Sequence, residues 1–203
     1  MKIGVARGRR MLRRNPMAVV LPYDLKNLLT HHPAATRMLL APAISRLGGG
    51  ARGQIQIRVE RRVPFRRQRD VVISWDLGSI ATDLNYPSIV DDLRRLEATD
   101  ESPDERTMRA AEVVAMVVMH LLNGSRFTGR APRSRRNRPT FADFYMNDAP
   151  DSMVEVAGRV SDDLGRLFEL KRKQILRNPT LSEAWVSVTV FDAKGNATGR
   201  VRP

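Results

Sequence analysis

The C-terminal half of the chain switches between helix-like and strand-like spacing of apolar residues in one definite order, which limits the folds open to it. The stretch from Pro103 to Leu122 predicts a long helix, because Asp104 and Glu105 lie in its first turn, where the helix dipole favours anions. Three strand-like segments, a second helix and a closing strand follow, starting at Arg126–Thr128 and continuing at Thr140–Met146, Ser152–Val156, Asp162–Arg177 and Trp185–Phe191. The predicted order is helix-strand-strand-strand-helix-strand.

The N-terminal half gives weaker patterns. Apolar residues between Tyr23 and Leu47 fall at helix-like spacing interrupted by prolines, which predicts two short helices ended by Gly48-Gly49-Gly50. Alternation predicts strands at Gln54–Val59 and Val71–Trp75, joined as a basic hairpin. The acidic stretch from Asp83 to Asp104 is interpreted as a weakly helical surface connector.

A chain of 203 residues is long enough for one domain with a substantial core. The patterns divide it into a basic arm at residues 1–16, a helical segment at residues 17–50 and a single α/β domain at residues 51–203, whose central part covers about 104–192. There is no internal repeat.

Net charge is the unusual property of the composition. Thirty-five basic residues against 22 acidic ones give a net charge of +13, which favours a polyanionic partner such as DNA or RNA. The chain has no cysteine, so disulfides and thiolate zinc sites are excluded and a reducing compartment fits. No apolar run reaches the length of about 20 residues that a membrane-spanning helix needs; we expect a cytoplasmic protein without a membrane partner.

Arginines are concentrated in two connections between predicted strands. They suit phosphate oxygens, although a solvated hairpin tip is the alternative for the first group. A basic arm that is mobile or clamps nucleic acid precedes them. The candidate nucleic-acid-binding residues are Arg61, Arg62, Arg66, Arg67, Arg69, Arg133, Arg135, Arg136 and Arg138.

Glu112 is out of place in the middle of the predicted helix at 103–122. Its neighbours from Ala110 to Met119 are apolar on nearly every side, and glutamate is rarely buried unless it is paired or bound to a metal. The helix therefore brings a carboxylate to a polar pocket, or to a partner arginine.

Asp143 and Glu155 lie in strands predicted to form one hairpin that turns at Asn147–Asp151. On one face of such a hairpin the two carboxylates can approach each other, which is unfavourable unless a cation bridges them. Carboxylate oxygens suit Mg²⁺ or Mn²⁺, and either metal can polarise a phosphate or lower the pKa of a bound water.

Lys171 lies on the apolar stripe of the following helix, with Gln174 beside it, whereas Lys173 points elsewhere. We therefore expect Lys171 to point to the sheet and to need an acidic neighbour there. It would stabilise charge on a phosphate or orient a water molecule; an edge lysine that reaches solvent is the alternative.

These motifs resemble the PD-(D/E)XK nuclease-like core and, more closely, an uncharacterised bacterial family of that type. The resemblance covers about residues 70–192, through Glu112, Phe141-Ala-Asp143-Phe-Tyr145, Glu155-Val-Ala-Gly158 and Lys171-Arg-Lys-Gln174. It implies a restriction-endonuclease-like mixed sheet flanked by helices, with Asp143, Glu155 and Glu112 as metal ligands and Lys171 as a catalytic lysine. The usual lysine position is Ala157, and the glycines expected before Asp143 are absent.

Three functions fit the sequence. The first is a Mg²⁺-dependent nuclease with catalytic residues Glu112, Asp143, Glu155, Lys171 and Gln174. The second is a basic nucleic-acid-binding protein without catalysis, in which the nuclease-like fold is degenerate. The third is an assembly or interaction protein whose charge serves a partner surface or a ribonucleoprotein; a protein partner or a homo-oligomer fits this hypothesis. The sequence does not distinguish DNA from RNA.

Overall fold

The computed structural model of the protein describes residues 19–60, 69–99, 103–131, 142–177, 181–192 and 197–202. Three predicted features lie outside these ranges: the basic arm at residues 1–16, and the arginine-rich connections at residues 61–68 and 132–141. The candidate binding residues Arg61, Arg62, Arg66, Arg67, Arg133, Arg135, Arg136 and Arg138 are therefore outside the described residues.

Within these ranges the chain forms one mixed sheet of eight strands and six α-helices, which confirms the predicted α/β fold class. Short 3₁₀ turns at Leu25–Asn27 and Arg37–Leu39 precede the first two helices. In chain order the elements are β1 (Val19–Asp24), α1 (Leu28–His31), α2 (Leu40–Leu47), β2 (Arg52–Glu60), β3 (Arg69–Asp76), α3 (Leu77–Asp83), α4 (Ile89–Ala98), α5 (Pro103–Asn123), β4 (Phe127–Arg130), β5 (Phe144–Met146), β6 (Ala149–Val160), α6 (Leu164–Ile175), β7 (Glu183–Phe191) and β8 (Ala197–Arg202).

The strand order in the sheet is β1-β3-β2-β8-β7-β6-β5-β4. The pairs β1/β3, β2/β8 and β6/β7 are parallel, and the other pairs are antiparallel. Parallel neighbours need a crossover, and α6 provides it between β6 and β7. The elements from α5 to β7 therefore follow the predicted order of helix, three strands, helix and strand.

Strand β6 separates two layers of core. Val154 and Val156 belong to a large core that includes helix α5, whereas Met153 and Ala157 belong to a smaller core that includes helix α6. Successive side chains of a strand point to opposite faces of the sheet, so α5 covers one face and α6 the other. Glu155 shares the phase of Met153 and Ala157 and therefore faces α6.

Helix α5 runs from Pro103 to Asn123, within one residue of the prediction. All residues from Ala110 to Met119 are buried, since the helix lies between the sheet and α2. Apart from Glu112 this middle is apolar, which explains why the sequence predicts the helix and makes Glu112 the charged exception.

A tight turn connects β5 and β6. Asn147 and Asp148 both have positive φ, at 55° and 58°, which is the backbone of a two-residue type I′ turn. Asparagine and aspartate are among the residues that adopt this conformation most readily. Met146 pairs with Ala149 across this turn, and an irregularity next to it shifts the register so that Tyr145 pairs with Met153 and Phe144 with Val154.

The helical segment predicted at residues 17–50 contains, in addition to α1 and α2, the unpredicted strand β1. Its sequence Val-Val-Leu-Pro-Tyr-Asp does not alternate and contains Pro22. The strand lies at the edge of the sheet beside β3, and an edge strand tolerates a proline. Its Tyr23 is buried in the same large core as α5.

The surface connector predicted at residues 83–104 also differs from the structure. It contains helix α4, which buries Ile89, Leu93 and Leu96. These residues are spaced for one helical stripe, and the charged residues between them gave the segment its surface-like composition.

No helix in the described ranges combines the length and the apolar character that crossing a membrane requires.

We predict that Gly158→Ala destabilises the protein by about 1–3 kcal/mol, the cost of overpacking a core. A Cβ atom at position 158 in β6 would lie 2.7 Å from Ala111 Cβ and 2.7 Å from the Thr107 carbonyl oxygen of α5. Urea unfolding would measure the loss. Gly199→Ala in β8 is the matched control, because its nearest contact is Ile57 Cγ2 at 3.6 Å; equal stability of both variants would contradict this packing.

Candidate functional site

Helix α6 brings two hydrogen-bond donors to Glu155 on the sheet. Lys171 Nζ donates to Glu155 Oε1 at 2.5 Å, and Gln174 Nε2 donates to the same oxygen at 3.2 Å. Lys171 Nζ also donates to Gln174 Oε1 at 3.3 Å. The side chain of Glu155 is 5% exposed and that of Lys171 is 20% exposed. The prediction that Lys171 points to the sheet and meets an acid is confirmed, and its catalytic role stays a prediction.

Asp143 lies immediately before β5, one residue outside the strand. Its backbone continues the pairing, since its N–H donates to the Val154 carbonyl at 2.8 Å and its carbonyl accepts from Ala131 N–H at 2.9 Å. Its side-chain Oδ2 accepts from Val156 N–H at 2.8 Å. The carboxylate of Asp143 is therefore fixed against the backbone next to Glu155.

Asp143 and Glu155 both have a raised pKa. Burial raises the pKa of Glu155 to about 7; repulsion by Asp143 adds to this rise, and the Lys171 ammonium opposes it. Burial also raises the pKa of Asp143 above its ordinary value, against the hydrogen bond from Val156 and the charge of Lys171. One lysine thus compensates two buried acids only in part.

Glu112 is held by two arginines on the α5 side of the sheet. Arg130 donates from Nη1 and Nη2 to the two carboxylate oxygens, at 3.1 and 2.8 Å, and Arg109 donates at 3.2 Å. The Arg130 guanidinium also lies 4.8 Å from the centre of the Phe144 ring. Of the two expectations for Glu112, the structure gives the arginine partner, although its charge still contributes to the raised pKa of Asp143.

The three predicted metal ligands lie in two different environments. The structure brings Asp143 and Glu155 together, while the oxygens of Glu112 are engaged by arginines. In the part of the chain that the structure describes, no group of three or more His, Cys, Asp or Glu side chains could hold a metal ion. Two partly compensated carboxylates nevertheless fit Mg²⁺, which proteins often bind through one or two carboxylates with water and phosphate oxygens.

The arginines in this region were only partly predictable. Arg69 in β3 is half-buried and pairs in the sheet with Val19 and Val59, far from Asp143 in the strand order. Arg109 was missed as a site residue, although its spacing of three residues before Glu112 is the spacing of a helical ion pair. Arg130 is not among the candidate binding residues, although it lies at the start of the second arginine-rich connection.

A cavity of about 1030 Å³ adjoins Asp143 and was not predicted. Helices α2, α4 and α5 contribute to its wall, together with Arg130 and Ala131 at the end of β4. These elements are far apart in the chain, so no local pattern could have revealed the cavity.

The three histidines of the chain come together around Tyr23, at the C-terminal end of α5. His31 and His120 stack with ring centres 4.2 Å apart, and the Tyr23 hydroxyl lies 3.0 Å from His31 Nδ1. His32 Nδ1 accepts from the Phe127 N–H at 3.1 Å, and burial lowers the pKa of His32 to about 3. No local sequence pattern predicts this cluster, which ties α1 to α5 and β4.

Comparison of the chain with protein-family models, with curated proteins and with solved structures gave no match. The resemblance to PD-(D/E)XK nuclease-like proteins stays a prediction from the sequence motifs and the order of elements.

We predict that Glu155→Gln stabilises the protein at alkaline pH. Because folding raises the pKa of Glu155 from 4.5 to about 7, its contribution to stability is complete below pH 4.5 and is lost as the pH rises through about 7. Glutamine cannot ionise and keeps an acceptor oxygen for Lys171. The stability difference between variant and parent should grow between pH 4.5 and 7, with an upper limit of about 1.4 kcal/mol per pH unit.

Denaturant unfolding at several pH values measures this difference. Glu169→Gln is the control on the same helix, because Glu169 is half exposed and pairs with Arg172 at the surface. A stability difference for Glu155→Gln that does not change with pH would show that the carboxylate is not held in an unfavourable charged state.

Proposed function

We propose that the protein is a Mg²⁺- or Mn²⁺-dependent hydrolase of phosphodiester bonds in nucleic acid. The observation that carries this proposal is the cluster of Glu155, Lys171 and Gln174 beside Asp143. Two buried acids with raised pKa values and one lysine form a site in which an added cation would be favourable.

The residues have distinct roles in this proposal. Asp143 and Glu155 would hold the metal ion, which when bound polarises a phosphate and lowers the pKa of a water molecule. Lys171 Nζ donates a hydrogen bond to Glu155 Oε1 and would stabilise negative charge that develops on the phosphate. Gln174 positions Glu155 through its hydrogen bond to Oε1.

The order of elements supports the same proposal. The run α5-β4-β5-β6-α6-β7 has Asp143 immediately before β5, Glu155 on the neighbouring strand β6 and Lys171 on the helix that follows. Ala157, at the usual lysine position, is buried on the same face of β6 as Glu155. Lys171 approaches that face from α6, and we infer that it substitutes for the lysine that the strand lacks.

Nucleic-acid binding without hydrolysis is the second candidate function. It is favoured by the net charge of +13 and by the way in which Arg109 and Arg130 occupy the carboxylate of Glu112. In this case Lys171 would serve only to neutralise Glu155, and the arginines would contact phosphates.

We predict that the purified protein cleaves DNA or RNA when Mg²⁺ or Mn²⁺ is added, and that Asp143→Asn, Glu155→Gln and Lys171→Met each reduce the rate by at least about 100-fold. Gel analysis of labelled oligonucleotides measures cleavage. Lys173→Met is the matched control, because Lys173 is exposed on the same helix and should leave the rate unchanged.

Cleavage that survives Asp143→Asn and Glu155→Gln would contradict the proposed site. Binding without cleavage, with an affinity that falls steeply as salt increases, would instead support the second candidate function.

A further inference from the structure

The cavity next to Asp143 has a wall rich in arginine. Four of the described residues that line it are Arg37, Arg95, Arg109 and Arg130. Arg95 pairs with Asp92, Arg130 with Glu112, and Arg109 with both Glu105 and Glu112. A guanidinium has five N–H donors, so Arg95 and Arg130, each fixed by one carboxylate, keep donors for a second anion.

Arg37 differs from the other three. It is exposed, and no ion pair to it occurs among the residues that the structure describes. A phosphate that enters the cavity would therefore meet one uncompensated guanidinium and the remaining donors of the fixed arginines.

An apolar side chain also lines the cavity that contains these arginines. Met38 is 80% exposed at the cavity, next to the buried Leu39, and Leu96 and Pro42 also line the wall. Methionine is an adaptable apolar surface, and nucleic-acid bases stack on apolar and aromatic side chains. The same cavity thus offers donors for a phosphate and a surface for a base.

The cavity reaches the proposed reaction site at one residue, Asp143. Asp143 and Ala142 line it, and Ala142 also belongs to the small core under α6 together with Ala157. A phosphodiester placed at Asp143 would therefore have a neighbouring nucleotide directed into the cavity.

The size of the cavity limits what can enter. Its volume of about 1030 Å³ is slightly above the usual range of small-ligand pockets, about 300–1,000 Å³. It has room for one or two unpaired nucleotides and is too small to enclose a base-paired duplex.

We propose that this cavity binds the unpaired nucleotide that flanks the scissile phosphate, and that the substrate of the site is single-stranded nucleic acid or a frayed end. The inference rests on the proposed function. It adds the class of substrate and assigns Arg37 and Met38 to its recognition.

The test measures binding of fluorescein-labelled oligothymidylate, alone and hybridised to oligoadenylate, by fluorescence anisotropy with EDTA present; the corresponding RNA strands are measured in parallel. Cleavage of the same probes is then followed with Mg²⁺. The parent protein should bind the single strand at least tenfold more tightly than the duplex. Met38→Glu and Arg37→Glu should each weaken single-strand binding about tenfold, comparable to the loss of one stacked base or one phosphate contact.

Leu170→Glu and Arg172→Glu are the matched controls, because Leu170 is 61% exposed and Arg172 is exposed, both on α6 away from the cavity. Leu170→Glu repeats the charge change of Met38→Glu, and Arg172→Glu repeats that of Arg37→Glu. Met38 and Arg37 are themselves exposed, so their variants should fold, and circular dichroism checks this.

The outcomes separate the two proposals. Equal affinity for single strand and duplex, no binding of either probe, or cavity variants that behave like their controls would each overturn the cavity proposal. If the cavity variants weaken single-strand binding but neither the parent nor any variant cleaves the probes, the cavity is supported as a binding site and the proposed hydrolase is contradicted. Cleavage that shows no preference for single strands would contradict the cavity proposal alone.

Discussion

The ion pair between Glu155 and Lys171 is the interaction on which the candidate site depends. A carboxylate that is 5% exposed needs a partner, and this partner comes from the crossover that makes β6 and β7 parallel. The connection required by the topology therefore also carries the lysine. Gln174, three residues further along α6, donates to the same oxygen, so the rotation of the helix about its axis is fixed by two polar contacts as well as by Leu167 and Phe168 in the core.

The acids of the region are in unequal environments. Glu112 on the α5 side receives two arginines, whereas Asp143 and Glu155 share one lysine. Only the second group keeps two buried carboxyl groups with raised pKa values. Such an arrangement lowers stability at neutral pH, and local violations of this kind occur where a site serves binding or catalysis. The incomplete compensation is therefore the part of the structure that most favours a function at this place.

Local patterns made much of the site predictable from the sequence. The spacing around Lys171 placed it on the sheet side of a helix, and the turn at Asn147 brought Asp143 and Glu155 onto paired strands.

What the sequence did not reveal depends on contacts between distant segments. The strand β1 is recognisable only through its pairing with β3, the cavity needs α2, α4 and α5 together, and the histidine cluster joins His120 to residues almost ninety positions earlier. Glu112 is intermediate, since Arg109 is three residues away but Arg130 is eighteen.

The mutual effect of the two buried acids can be measured directly by following the side-chain carboxyl signals of Glu155 and Asp143 by NMR as a function of pH. Our account predicts that Glu155 titrates near pH 7, that Asp143→Asn lowers its pKa because one negative neighbour is removed, and that added Mg²⁺ lowers it as well. A Glu155 carboxyl that titrates near its ordinary value of 4.5, unchanged by Asp143→Asn and by Mg²⁺, would contradict the account.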